Sequence, residues 1–185
     1  MWKVIIASLA LFSSLAFAGP KVVFETTLGA FTVELDEQKA PITVANFKKY
    51  VEDGSYVGTQ FHRVIPGFMA QGGGLDKDMK AVPTYSPIKN EASNGLKNEV
   101  ATIAMARTRN PNSATRQFFI NYNNNEYLNF RNDEQNSSAG YAVFGKVTRG
   151  FETVKKMSEV PTTTKSNFQN VPETAIIITK ATLIP

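Results

Sequence analysis

The sequence of 185 residues contains no cysteine. That absence excludes disulfides, thiolate metal sites and a lipid-anchored cysteine. The chain must be held by its apolar core alone, for which a hydrophobic content of 42% is adequate. Histidine is almost absent: His62 is the only one. A multi-histidine metal site is therefore excluded, and a serine–histidine–carboxylate triad would have to be built on His62. No strand–G-x-S-x-G–helix context accompanies it. Gly72-Gly73-Gly74 matches neither a P-loop nor a dinucleotide fingerprint. Neither a metal nor a cofactor is expected.

Long apolar runs are also lacking. The longest, from Val4 to Phe12, is interrupted by Ser13 and Ser14, well short of the ~20 residues a spanning helix needs. Lys3 precedes the run and Ala16-Phe17-Ala18 follows it, the pattern of a cleaved secretory signal. The expectation is a signal peptide over 1–18, one folded domain over 19–185 and no membrane attachment after cleavage. The formal charge is +4; without Lys3, 19 basic residues stand against 16 acidic ones, giving +3. The basic residues are scattered rather than clustered, which reads as a solvated surface and not as a nucleic-acid interface.

What is present begins with short strands. Lys21 to Thr27 and Phe31 to Leu35 flank a Leu28-Gly29 turn and predict a β-hairpin. Pro41 opens a helix in which Val44, Phe47 and Val51 form one apolar stripe, and Gly54 closes it. Further strands are predicted at 60–65, 68–71, 100–106, 117–121, 141–147 and 175–183, with a second helix at 151–160. The stretches 72–98 and 122–140 read as irregular, the latter rich in asparagine. Roughly eight strands and two helices without β-α-β alternation point to an antiparallel sheet or closed barrel with helices on its ends.

The candidate chemistry lies in four segments: Phe61-His62-Arg63-Val64-Ile65-Pro66-Gly67-Phe68-Met69-Ala70-Gln71-Gly72-Gly73, Ala104-Met105-Ala106, Gln117-Phe118-Phe119-Ile120 and Val143-Phe144-Gly145-Lys146-Val147. Two-residue alternation would put Arg63 with Phe61 on one face, and pair Met69 with Gln71 and Gln117 with Phe119. Taken singly, each residue has an ordinary reading. The aromatics and Met69 suit a core, Arg63 a surface, His62 a structural role, and the glutamines loop anchoring.

Taken jointly, the four segments resemble the cyclophilin family, with F-H-R-V-I-P-G-F-M-x-Q-G-G as the most specific motif. The resemblance spans essentially the whole chain after residue 18. P-I-K-N-E-A-x-N-G-L at 87–96 is similar to the periplasmic bacterial branch. It implies a mainly β fold, a closed eight-stranded antiparallel β-barrel capped by two α-helices. It implies a peptidyl-prolyl isomerase acting on proline-containing polypeptides, expected as a periplasmic monomer without cofactor. Arg63 corresponds to the catalytic arginine. Phe68, Met69, Phe119 and Leu128 correspond to the proline pocket with Ile65 at its edge, Gln71 to the residue that positions Arg63, and Gln117 and Ala106 to the peptide groove. His62 matches the histidine beside the arginine, with a hydrogen-bonding role.

Three positions depart from the familiar pattern. Tyr127 stands where tryptophan often precedes the pocket leucine, Tyr141 where many members carry histidine, and Arg107 where a groove asparagine follows the alanine. The loop from Asn129 to Gly140 is longer than in compact members. These departures are expected to change peptide preference and weaken cyclosporin binding more than basic activity.

Rotation about a peptide bond faces a barrier of about 18–20 kcal/mol, yet no bond is made or broken. A fixed guanidinium beside an apolar ring pocket therefore suffices in kind, because it can donate to the imide nitrogen once resonance is lost. Two other readings compete. One is a peptide-binding holdase that has lost catalysis, and the other a small secreted hydrolase built on His62.

Overall fold

The computed structural model describes residues 19–132 and 135–184. The predicted signal peptide lies outside the described residues. Strands β1 (Lys21–Thr26) and β2 (Gly29–Leu35) form the expected hairpin. Gly29 makes its turn possible with φ of 124°, a conformation open to glycine but strained for other residues. Val22, Phe24, Phe31, Val33 and Leu35 all point inward and are buried, as period-two alternation requires.

Helix α1 (Pro41–Glu52) follows, with Pro41 in its first turn. Its buried face is wider than the predicted stripe, adding Thr43, Asn46 and Tyr50 to Val44, Phe47 and Val51. The start of α1 is capped from a distance. The Glu91 carboxylate accepts from the backbone N–H of Ile42 (3.1 Å) and Thr43 (2.8 Å) and from the Thr43 hydroxyl (2.7 Å). An anion at the positive end of the helix satisfies donors that have no partner within it.

The remaining elements are β3 (Arg63–Ile65), β4 (Met69–Gly72), β5 (Thr102–Met105), β6 (Phe118–Asn121), β7 (Val143–Arg149), α2 (Phe151–Met157), β8 (Thr162–Lys165), β9 (Phe168–Pro172) and β10 (Ile178–Ile184). Eight strands make one antiparallel sheet in the order β10-β1-β2-β7-β5-β6-β4-β3. Strands β8 and β9 pair separately as a hairpin against β3, which the sequence reading did not foresee. Helix α1 packs on β10 and α2 on β2. Helix α2 ends three residues earlier than predicted. Ser158, Glu159 and Val160 donate to Lys155, Lys156 and Met157, which are turn bonds of i to i−3 type.

The expected closed barrel is not what forms. The sheet curls through 213° as a half-barrel. Its outer strands β3 and β10 do not pair with each other. The chain before β3 loses strand geometry at Gly58 (φ 84°) and meets the start of β10 only through the bridge Gln60–Ile177 and a few backbone bonds, such as Ile178 N–H to Thr59 O at 2.8 Å. With β3 only three residues long, there is no ladder to carry the closure.

The curled sheet separates two apolar compartments. One holds the main core, where Phe24, Phe47, Tyr56 and Phe118 meet ring to ring at centroid distances of 5.2–6.1 Å. Such contacts add specificity to the ~1.5–3 kcal/mol each buried ring contributes. The other is a smaller cluster of Met69, Ala104, Phe119, Leu128 and Val143. Strand β6 shows the division most clearly: Phe118 and Ile120 enter the main core, whereas Phe119 between them enters the smaller cluster.

Candidate active site

The site is built on the smaller cluster. Strands β3 and β4 are joined by Pro66-Gly67, where Gly67 takes φ of 71° and Phe68 N–H closes the turn on Ile65 O at 3.0 Å. The register sets Arg63 opposite Gln71 and Ile65 opposite Met69, while β6 places Phe119 beside Gln71. Alternation then sends Arg63, Met69, Gln71 and Phe119 to one side of the sheet and Val64, Ala70 and Ile120 to the core.

Phe61 does not share the Arg63 face as alternation had predicted. It packs in the main core with Val64, because residues 61 and 62 precede β3 and do not keep its pleat.

A cavity of about 160 Å³ opens here. Its apolar lining is Phe68, Met69, Ala106, Phe119 and Leu128. Its polar lining is Arg63, Gln71, Arg107 and Tyr141. Pockets for drug-sized ligands run to roughly 300–1,000 Å³, so this space suits one small ring or side chain. Leu128 is delivered by a short 3-10 turn at Glu126–Leu128.

Arg63 is half-buried, with its guanidinium 6.0 Å from the Phe68 ring centre. Its Nη1 donates to Gln71 Oε1 at a long 3.5 Å, and Gln71 Nε2 donates to Gln117 Oε1 at 2.9 Å. The glutamine relay thus leaves most Arg63 donors uncommitted. Gly74 keeps space for it, since a Cβ there would collide with the Gln117 side chain.

Four of the residues singled out from sequence stand off the cavity lining. Ile65 packs against the edge of the Met69–Phe119 cluster, and Gln117 reaches the site through Gln71. Tyr127 is 63% exposed, its ring 5.8 Å from that of Phe68.

His62, the fourth, has a structural setting. It is buried with no hydrogen-bond partner at Nδ1 among the described residues, and its ring meets Phe168 of β9 edge-on at 6.3 Å. Burial lowers its pKa to about 4; a hydrogen bond with the Gln60 backbone opposes that shift and the nearby Arg63 charge adds to it. A neutral imidazole off the cavity lining, with no carboxylate bonded to it among the described residues, does not make a hydrolase triad.

Arg107, singled out from sequence as a groove residue, lines the cavity itself. The sequence reading missed one feature: three asparagines, Asn98, Asn121 and Asn125, form a buried network, although most of the asparagine-rich stretch is exposed. Asn125 Nδ2 donates to Phe68 O (3.0 Å) and Asn121 Oδ1 (2.7 Å). Asn98 Nδ2 donates to Leu128 O (3.2 Å) and Tyr141 O (3.3 Å). These bonds fix the backbone of three cavity residues, and only the local density of asparagine hinted at them.

The family model described as cyclophilin type peptidyl-prolyl cis-trans isomerase/CLD matches residues 21–183. The chain belongs to the cyclophilin-type isomerases. The cyclophilin shares 52% identity over 168 residues with a peptidyl-prolyl cis-trans isomerase of Acinetobacter baylyi, covering 91% of this chain and 87% of that one. It shares 50% over 184 residues with peptidyl-prolyl cis-trans isomerase A of Dickeya dadantii, covering 98% and 94%. Among solved structures, the cyclophilin type isomerase of Cryptosporidium parvum superposes with a TM-score of 0.70 at 28% identity, covering 88% of this cyclophilin and 96% of that chain. At this identity and coverage, this cyclophilin is a peptidyl-prolyl cis-trans isomerase.

Proposed function

We propose that this cyclophilin accelerates X-Pro rotation in exported polypeptides as they fold in the periplasm, with Arg63 as the catalytic group and the cavity as the proline site. The observation that carries the reading is the Arg63 guanidinium, with uncommitted donors, beside the apolar side chains of a small cavity. The proline ring enters among Phe68, Met69, Phe119 and Leu128. Arg63 donates to the imide nitrogen as it pyramidalises and loses resonance. Gln71 and Gln117 hold the Arg63 side and meet the peptide backbone, and Ala106 borders the groove. Export rests on the signal-like residues 1–18, and the chain works as a monomer. Intact protein mass of the exported chain beginning at Gly19, and a monomeric mass in solution, are the expected outcomes.

Each ~1.36 kcal/mol taken off a barrier is tenfold in rate, and a charge-assisted hydrogen bond contributes roughly 1.5–3 kcal/mol. Arg63 alone therefore accounts for about ten- to a hundredfold, and ring fixation in the preorganised cavity supplies the rest. The test is exchange NMR on a short Ala-Pro-Phe peptide without protease, comparing the mature chain with Arg63→Ala. Fast exchange that collapses in the mutant supports the reading. Binding without acceleration in the wild type would leave a holdase instead.

A further inference from the structure

Arg107 is held more firmly than its position beside a groove requires. Its Nε donates to Gly140 O at 2.8 Å, its Nη1 to Thr108 O at 2.9 Å and its Nη2 to Asn136 O at 3.0 Å. Its guanidinium lies 4.5 Å over the Tyr141 ring, and that ring meets Phe119 edge-on at 5.7 Å. Backbone carbonyls and a ring orient the group but carry no net charge. Among the described residues no carboxylate pairs with Arg107 or with Arg63. Among the described residues the cavity lining thus contains two guanidinium groups and no acid. A fixed charge of one sign at a partly desolvated site attracts the opposite sign and repels its own.

We propose that Arg107 makes this isomerase selective for proline segments that carry a carboxylate on a residue next to the proline. The inference rests on the cavity being the proline site. A glutamate or aspartate flanking a seated proline comes within reach of the preorganised guanidinium, whereas a lysine there adds a third cation to a cavity with no acid among its described lining residues. Tyr141 contributes by holding Arg107 flat through the cation–π contact. Replacing the planar guanidinium with an ammonium keeps the charge but loses the fork and the stacking.

The test compares Ala-Glu-Pro-Phe with Ala-Lys-Pro-Phe, and Ala-Pro-Glu-Phe with Ala-Pro-Lys-Phe, by exchange NMR for kcat/KM and by shift titration for affinity. The wild type favours the glutamate peptide of at least one pair by roughly three- to fivefold, the size of a partly exposed ion pair. The preference fades as the Debye length shrinks from ~30 Å at 0.01 M salt to ~8 Å at 0.15 M. It falls to near unity in R107Q and R107M and survives in part in R107K. In the wild type, the Arg107 Nε–H resonance moves with the glutamate peptide and stays still with the lysine one, which decides the matter even if a variant fails to fold. Equal handling of both charges, a preference untouched by R107Q, or an unmoved Arg107 resonance overturns the proposal. A chain that binds the peptides selectively but does not turn them over would sink the catalytic reading and leave this one standing.

Discussion

Arg116 and Arg63 sit on opposite sides of the same sheet. Arg116 is 1% exposed, and each of its three nitrogens donates to a backbone carbonyl: Nε to Gly73 at 2.7 Å, Nη1 to Pro83 at 2.7 Å and Nη2 to Ser55. Tyr50 and Tyr56 cover it at 4.8 and 5.3 Å. Arg63 is half-buried, faces a cavity, and has one long bond to Gln71. The first arginine commits its donors to joining the turn after α1, the glycine turn and Pro83. On the proposed function, the second keeps them for the peptide. The same side chain is thus cement in one region and a tool in the other, and access to the cavity tells them apart.

The comparison breaks most visibly at Arg116. Arg116→Met leaves one buried and two part-buried carbonyls without their partner, at about 1–3 kcal/mol for the buried one and less for the others, and loses the stacking on Tyr50 and Tyr56, so stability falls by about 4 kcal/mol. The melting temperature, by calorimetry, drops by roughly 10 °C or more, while the rate per folded molecule holds. Phe119→Ala should strike both regions at once, because its ring fills the cavity cluster and braces Tyr141. It is expected to cost about 3 kcal/mol in chemical denaturation and at least tenfold in kcat/KM. Arg63→Ala sharpens the contrast from the other side. Exchange slows by about ten- to a hundredfold with a melting temperature within a degree or two of the wild type. An Arg63→Ala protein that melted far lower would erase the distinction.

The smallest effect concerns pH. As pH falls, the unfolded chain protonates His62 near its usual value of ~6.5, whereas the folded chain, with its pKa at about 4, resists until much lower. The unfolded state therefore binds more protons between those values, and stability drops as pH falls from 6.5 towards 4. The loss from this group is about 2 kcal/mol at pH 5, read by urea titration. His62→Leu flattens that slope and leaves isomerisation intact, since the residue lies off the cavity.

Much of this was legible in the residues. Val22 and Phe24, or Phe31, Val33 and Leu35, alternate so regularly that the first hairpin follows from period two, and the stripe of α1 follows from period 3.6. The motif around Arg63 gave most of the cavity. Closure was not legible, because curvature is set by irregularities such as the register shifts at Glu25/Thr26, Thr32/Val33 and Ile103/Ala104. The β8–β9 hairpin was missed because Thr162–Lys165 and Phe168–Pro172 carry no alternating pattern. They are largely solvent-facing, and their turn relies on Ser166 at φ 53°. The Asn98–Asn121–Asn125 network escaped for a related reason. Its backbone partners are carbonyls 30 to 57 residues away, and a polar run in sequence looks the same whether it is wet or buried.

Alternation along β6 joins two regions in one strand. Phe118 and Ile120 pack in the main core, whereas Phe119 between them lines the cavity together with Tyr141 and Arg107. On the proposed function, a change at Phe119 alters what the cavity accepts while its two neighbours hold the core, so recognition and folding are separable one residue apart.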